Sequence, residues 1–145
     1  MTSKYISIVV FSFFLITCKK SKQDTSNTNP VPYVVVNYTL FPDDPANYRI
    51  QTVGGWMYVD NVGLNGIIIY RKSPEEFFVI ERTSSHLPNN TAARVYVMSD
   101  NFILRDSISD SRWRIIDAQV SQGPAQWPLR TYANTYLNGA LRITN

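Results

Sequence analysis

Hydrophobic and polar positions alternate in short runs along most of this chain. From residue 31 onward, runs rich in β-branched and aromatic residues are each closed by Gly, Pro, Asn, Asp or Ser, which is typical of strands and turns. The predicted strands are residues 33–38, 55–59, 67–70, 77–80, 94–98, 102–104, 111–116, 130–136 and 140–143. A helical period is confined to a single turn near residues 44–48. The pattern predicts an all-β fold, an antiparallel sandwich or barrel of short strands.

Two turns in this pattern predict hairpins. Residues 72–76 (Lys-Ser-Pro-Glu-Glu) separate two apolar runs, and Asn138-Gly139 separates the last two strands. Asn-Gly between alternating segments is the strongest short hairpin signal, because both residues tolerate positive φ. Residues 42–45 and 124–128 are rich in proline and are predicted to be loops.

The N-terminus has the pattern of an exported protein. Lys4 precedes an apolar stretch at residues 6–16, which is shorter than the roughly 20 residues needed to cross a bilayer as a helix. This stretch resembles a bacterial lipoprotein signal, so residues 1–17 are predicted to be cleaved and Cys18 to be acylated. Two or more acyl chains give stable membrane anchoring. The alternative is an ordinary secretory signal in which Cys18 is coincidental.

Residues 18–31 are predicted to form a lipidated cysteine followed by a flexible tether, because residues 19–31 are small, polar and end near a proline. No acidic residue directly follows Cys18, and we therefore predict an envelope lipoprotein on the periplasmic side of the outer membrane. Lys19, Lys20 and Lys22 would lie near lipid headgroups, either attracted to anionic lipid or merely solvated.

The net positive charge of the chain comes from the predicted leader and tether. The formal charge is +3, but the first 30 residues hold four lysines and one aspartate, which leaves ten basic and ten acidic residues in the rest. A neutral domain lacks the clustered basic face that nucleic acid requires. We therefore predict no nucleic-acid partner.

Four segments of the domain together carry a family resemblance. They are residues 54–59 (Gly-Gly-Trp-Met-Tyr-Val), 66–71 (Gly-Ile-Ile-Ile-Tyr-Arg), 81–86 (Glu-Arg-Thr-Ser-Ser-His) and 110–132, which includes Ser-Arg-Trp, Gly-Pro-Ala and Pro-Leu-Arg-Thr-Tyr. In this order they resemble Rieske-type proteins, especially small envelope lipoproteins. The resemblance covers residues 34–145, and the Rieske-like domain is placed at residues 32–145. It implies two former cluster-binding loops at one tip of the fold.

The resemblance also implies a lost cofactor. Rieske proteins hold a [2Fe–2S] cluster with two cysteines and two histidines, drawn from a Cys-x-His and a Cys-x-x-His-Gly box. These positions fall on Ser84 and His86, and on Asp106 and Ser109, with Asp110 in place of the glycine. Hydroxyl groups are poor iron ligands at neutral pH. We therefore predict that the cluster is absent and that these are vestigial ligand positions.

Other chemistry is disfavoured by the same residues. His86, Asp106 and Ser109 offer one imidazole and one carboxylate, fewer than a built metal site uses. Ser84, Ser85 and His86 are neighbours in sequence, whereas a nucleophile and its base need a third orienting group. The sequence thus predicts neither a metal site nor a catalytic residue.

Trp113, Trp127 and Pro124 lie beside the former cluster loops and have two interpretations. They fill the space of the lost cluster, or they form a binding patch at the tip, since exposed aromatics on rigid loops are good anchors. We predict a non-catalytic, lipid-anchored binding or scaffold subunit with an envelope protein partner. The alternatives are a Rieske-type electron carrier and a glycan- or peptide-binding sandwich.

Overall fold

The computed structural model of the protein describes residues 29–145. The predicted signal peptide, Cys18 and residues 19–28 of the tether lie outside the described residues. In the range 29–145, no helix combines the length and apolarity that a membrane crossing requires.

The regular secondary structure of the described chain consists almost wholly of antiparallel strands. They are β1 (Asn37–Leu40), β2 (Trp56–Val59), β3 (Ile67–Arg71), β4 (Phe77–Glu81), β5 (Val95–Val97), β6 (Ile103–Asp106), β7 (Arg112–Arg114), β8 (Val120–Gln122), β9 (Thr131–Leu137) and β10 (Ala140–Thr144), with a 3₁₀ helix at Pro45–Ile50. One sheet has the order β1-β10-β9-β4-β3-β2 and the other β5-β6-β7-β8. The smaller sheet is thus a segment inserted between β4 and β9. The predicted all-β antiparallel fold is confirmed.

The centre of the larger sheet is buried on both faces. Ile67 and Ile69 of β3 pack in one hydrophobic cluster with Leu141 and Ile143, whereas Ile68 packs in a second cluster with residues of the smaller sheet. Successive strand residues point to opposite faces. A continuous run of isoleucines therefore serves two cores at once, and each is fully buried.

Both predicted hairpins are present. Residues 72–76 connect β3 to β4, with the Lys72 N–H donating to the Glu76 carbonyl at 2.8 Å. Asn138 and Gly139 connect β9 to β10 with φ of 50° and 76°, the two positive values that a type I′ turn needs.

The observed strands differ from the predicted ones at β8, which was not predicted, and at β1, whose start was placed too early. β8 was missed because Val120–Gln122 is a short, largely polar segment without an alternating pattern. β1 begins at Asn37 and not at residue 33, because its partner β10 ends at Thr144. Beyond Thr144, the side chain of Asn145 forms the hydrogen bonds to the segment before β1: it accepts from the Val36 N–H at 2.9 Å and donates to the Val34 carbonyl.

The boundary of the tether also differs from the prediction. Residues 29–31 were assigned to the flexible tether, but Val31 is 1% exposed. The Asn29 side-chain amide donates to the Pro128 carbonyl at 2.9 Å, and Arg130 donates to the Val31 carbonyl. These contacts make residues 29–31 part of the packed domain.

Candidate functional site

Three loops meet at one end of the molecule, which we call the tip. Loop 1 is residues 82–94 between β4 and β5, loop 2 is residues 107–111 between β6 and β7, and the proline loop is residues 123–130 between β8 and β9. Ser85 Oγ of loop 1 donates to the Trp127 carbonyl at 2.7 Å, and the Ala125 N–H donates to Ser111 Oγ at 3.0 Å. The proline loop therefore joins the other two.

The start of loop 1 is held by a fully buried carboxylate, Glu81. Its Oε1 accepts from the Asn65 N–H at 3.0 Å and from the N–H and hydroxyl of Thr83 at 2.9 and 2.8 Å. Its Oε2 accepts from the Leu64 N–H at 2.8 Å and the Tyr132 hydroxyl at 2.6 Å. Burial, reinforced by this hydrogen bond, raises the pKa of Tyr132 well above its ordinary value. Every lone-pair direction of Glu81 is used inside the protein.

Arg82 ties the same loop to the smaller sheet. Its guanidinium donates to Asp60 at 2.8 Å and to the Val95 carbonyl at 3.2 Å, and lies 3.9 Å from the Tyr58 ring centre. Burial, together with the nearby charge of Arg94, lowers the pKa of Arg82. The pairing with Asp60 and the Tyr58 ring compensate for that burial.

The predicted positions in loop 1 have different environments. Ser84 is fully buried, its N–H donates to the Ala93 carbonyl at 3.1 Å, and its Oγ accepts from the His86 N–H at 3.3 Å. His86 itself is exposed. The Ser84 hydroxyl thus faces the interior while the imidazole lies at the surface.

The predicted positions in loop 2 form a closed hydrogen-bond chain. Asp106 is fully buried; its Oδ1 accepts from the Ile108 N–H at 2.9 Å and its Oδ2 from the Ser109 hydroxyl at 2.6 Å. Ser109 Oγ lies 2.8 Å from Ser111 Oγ, which also accepts from the Ala125 N–H. Since a hydroxyl has one proton, all donors in this chain point toward Asp106. Each of the two Asp106 oxygens therefore accepts a hydrogen bond from loop 2.

One strand separates the backbones of the two sets of positions. The Ser84 N–H bonds to Ala93, while Val95 is the register partner of Asp106. The strand segment 93–95 therefore lies between them, and two strand spacings correspond to about 10 Å. In residues 29–145 no three His, Cys, Asp or Glu side chains are grouped so that they could hold a metal ion. Buried hydroxyl and carboxylate groups that already bond one another do not fit an iron–sulfur cluster.

Asp110, which the resemblance predicts in place of a glycine, has a φ of 58°, in the left-handed region that glycine favours. Its Oδ1 lies 2.5 Å from Arg105 Nε and 3.4 Å from Arg112. The hydrogen bond from Arg105 lowers the pKa of Asp110. The residue therefore combines a glycine-like backbone with an ion pair at the base of loop 2.

We expect the Asp110 carboxyl to titrate below the ordinary aspartate value of about 3.9 when followed by NMR. A depressed pKa contributes stability that is present above the unfolded value and is lost as the pH falls through the folded value. Arg105→Gln should raise the midpoint, while Asp110→Asn should remove the titration and keep the backbone conformation, since asparagine tolerates positive φ. A midpoint at or above 3.9 would contradict the Arg105 pairing.

The aromatic residues of the predicted binding patch separate into two kinds. Trp113 is fully buried and packs with Leu104 and Ile115 in the second core, so of its two interpretations the surface anchor is excluded and the interior position remains. Its indole N–H donates to the Trp127 carbonyl at 3.0 Å. Trp127 is 36% exposed and Pro124 is also exposed. Of the three residues of the predicted patch, Trp127 and Pro124 are therefore accessible at the tip and Trp113 is not.

The exposed side of the tip contains a groove of about 410 Å³. It is lined by Pro30, Ser85, His86, Pro88, Pro124, Gln126 and Trp127. The sequence pattern pointed to His86, Pro124 and Trp127, and Gln126 lies in the same predicted loop, but the pattern gave no signal for Pro30 or Pro88. These two come from separate segments that only the folded chain brings together.

A second concave surface surrounds Trp56. Trp56 is partly buried and packs against the second hydrophobic cluster, and its indole N–H donates to Asn101 Oδ1 at 2.9 Å. Two grooves of about 420 and 480 Å³ share Trp56 and Arg49 in their walls. Trp56 remains accessible because β2 is an edge strand of its sheet.

No family model matches the sequence, and no curated protein does. Two solved structures are similar to it. One, titled complex of reduced oxygenase and oxidized ferredoxin in carbazole 1,9a-dioxygenase, is 16% identical over 64% of this chain and 82% of its own, with a TM-score of 0.47. The other, ferredoxin of carbazole 1,9a-dioxygenase from Nocardioides aromaticivorans IC177, is 14% identical over 63% of this chain and 86% of its own, with a TM-score of 0.44. Similarity at this level assigns neither a family nor a cofactor to this chain.

Proposed function

We propose that this protein is a Rieske-like β domain without an iron–sulfur cluster, anchored in the cell envelope through an acylated Cys18. It is a non-catalytic binding subunit on the periplasmic side of the outer membrane, and the groove at the tip is its binding site. Trp127, Pro124 and His86 are the exposed side chains through which the groove meets its partner.

One observation carries this proposal: the former ligand positions are engaged in internal hydrogen bonds. Ser84 and Asp106 are fully buried, and Ser109 donates to Asp106 within loop 2. A cluster needs four side chains directed at two irons. Here the side chains of Ser84, Asp106 and Ser109 form hydrogen bonds within their own loops instead, and the His86 side chain is exposed.

Two further features support the alignment on which the proposal depends. Ser84 and His86 lie on one loop and Asp106 and Ser109 on another, as the resemblance implies. The position that corresponds to the family's glycine, Asp110, has the positive φ that a glycine would adopt. A shift of the alignment by one residue would lose this agreement.

The proposal predicts that the purified full-length protein contains far less than stoichiometric iron and acid-labile sulfide and shows no visible absorption of a [2Fe–2S] centre. Residues 19–145 hold no cysteine, so the chain cannot supply the two thiolates that a Rieske centre requires. The protein is purified without oxygen, and a [2Fe–2S] ferredoxin treated in the same way is the positive control. A coloured sample with two irons per chain would instead establish the electron-carrier alternative.

A further inference from the structure

The chain enters the domain at the tip. Asn29 donates to the Pro128 carbonyl at 2.9 Å, and its Oδ1 accepts from the Val31 N–H at 3.0 Å. Val31 is buried, and Arg130 donates to its carbonyl. Both Pro128 and Arg130 belong to the proline loop. The segment that connects the domain to Cys18 therefore leaves from the same end as the groove.

This entry point limits the distance between the tip and an anchor at Cys18. Cys18 and Asn29 are eleven positions apart in the sequence. A fully extended chain advances at most 3.3–3.6 Å per residue, so this linker spans no more than about 40 Å. Pro30, the next residue, already forms one wall of the groove.

We propose that the tip docks on the lipid bilayer in which Cys18 is anchored, with the groove and its rim facing the headgroups. This inference rests on the proposed function, because it requires an acylated Cys18. It names the partner of the same site: a lipid surface that contains anionic headgroups.

The exposed side chains of the tip suit the interface of a bilayer. Trp127 is 36% exposed, Ile108 of loop 2 is 55% exposed, and Tyr33, whose ring lies 6.0 Å from the Arg130 guanidinium, is 64% exposed. Tryptophan and tyrosine are enriched at the level of the headgroups, where one end of the side chain is apolar and the other hydrated. Ile108 supplies the purely apolar contact.

The charges of the tip are compatible with an anionic surface. The three loops contain three arginines, at positions 82, 94 and 130, of which the first two pair with Asp60 before β3, and one carboxylate, Asp110. Asp110 is paired with both Arg105 and Arg112. Asp106, at the base of loop 2, is fully buried. The loops therefore present no unpaired carboxylate that anionic lipid would repel.

The opposite end of the larger sheet carries exposed carboxylates. β4 and β10 run toward the tip and β1 and β9 run away from it, which places residues 42–45 and 72–76 at the far end. The carboxylates there, Asp43, Asp44, Glu75 and Glu76, are all exposed; Asp43 pairs with Arg71 and Glu76 with Lys72, whereas Asp44 and Glu75 form no ion pair in the described part of the chain. With the tip on the membrane, these groups are held away from anionic headgroups. The far end therefore faces the aqueous side.

The test measures which end of the full-length protein lies at the lipid. Gln126→Cys at the tip and Asn138→Cys at the far hairpin are each labelled with bimane, since an acylated Cys18 has no free thiol. Each protein is incorporated into phosphatidylethanolamine–phosphatidylglycerol vesicles that contain a headgroup-nitroxide lipid. We expect several-fold stronger quenching of the label at position 126 than at position 138. Equal quenching, or stronger quenching at position 138, would overturn the proposal.

Two substitutions measure the contribution of the tip itself. Trp127→Ala combined with Ile108→Ala should reduce the quenching at position 126, whereas Phe41→Ala, which removes an aromatic residue that is 57% exposed near the far end, should not. If the label at position 126 is shielded only after solubilised envelope proteins are added, the tip binds a protein and the lipid proposal is wrong.

Acylation is measured separately, by the mass of the N-terminal peptide of the same preparation. An unmodified Cys18 would refute the anchoring in the proposed function. An acylated Cys18 with an unquenched tip label would leave the anchoring intact and refute only the docking.

Discussion

The Trp113→Ala variant is expected to lose about 4 kcal/mol of unfolding free energy, within the range found when a buried tryptophan is truncated. Trp113 is fully buried in the second core, so its removal leaves a cavity that β6 and β7 cannot close without moving their backbones. The Trp127 carbonyl also loses the indole N–H as a donor and retains only the Ser85 hydroxyl.

Urea unfolding of the full-length protein measures this loss, with Trp127→Ala as the matched control. Trp127 is 36% exposed and donates no side-chain hydrogen bond that the structure records, so its truncation should cost less than about 1 kcal/mol. Equal destabilisation by the two substitutions would show that Trp113 is not part of the core. The difference in unfolding free energy between the two variants therefore distinguishes the buried tryptophan from the exposed one.

The Glu81→Gln variant has the second largest expected effect, a loss of about 3 kcal/mol of unfolding free energy. Glutamine has nearly the same shape as glutamate, but its NH₂ group is a donor. Oε1 accepts three hydrogen bonds and Oε2 two, so either orientation of the amide places donor against donor. The buried N–H and hydroxyl groups of Thr83 cannot recover these bonds from water.

Thermal or urea unfolding of Glu81→Gln, beside Glu75→Gln on the exposed turn, tests this expectation. The Glu75 side chain is exposed, so its change should fall within about 0.5 kcal/mol of the unmodified protein. Tyr132→Phe removes one of the five donors and should cost about 1 kcal/mol. If Glu81→Gln were as mild as Glu75→Gln, the hydrogen bonds around Glu81 would not hold loop 1.

The same contacts explain why Gly63 lies where it does. Its φ is 78°, and a Cβ built there would overlap Glu81 Oε2 and approach the Tyr132 hydroxyl at 2.9 Å. Only a residue without a side chain lets the turn before β3 bring its N–H groups to the carboxylate. The sequence offered no signal for this arrangement, because Glu81 follows an apolar run and reads as an ordinary strand end.

Strands and turns could be predicted because their signals are local. The alternation that defines β9 and the Asn138-Gly139 turn act within a few residues, and both are as expected. β8 could not be found, because Val120–Gln122 is made a strand by its pairing with β7 and not by its own composition.

The candidate site was predictable in its residue types and not in its environment. The sequence alone predicted that Ser84, Asp106 and Ser109 stand at the positions of metal ligands in the resemblance. Their burial and mutual hydrogen bonds depend on strand pairing and on the proline loop. The two interpretations of Trp113 and Trp127 likewise required knowledge of which side of β7 faces the core.

By itself, the sequence determined the antiparallel strand pattern, the neutrality of the domain and the lack of any cysteine after Cys18. The tertiary structure alone decided that Trp113 is core, that Glu81 holds loop 1 and that the chain enters beside the groove. The physical reason is the separation of the partners: Tyr132 and Glu81 are 51 positions apart, and Asn29 and Pro128 are 99. Local periodicity specifies each strand, but it does not specify which distant side chains the assembled sheets bring into contact.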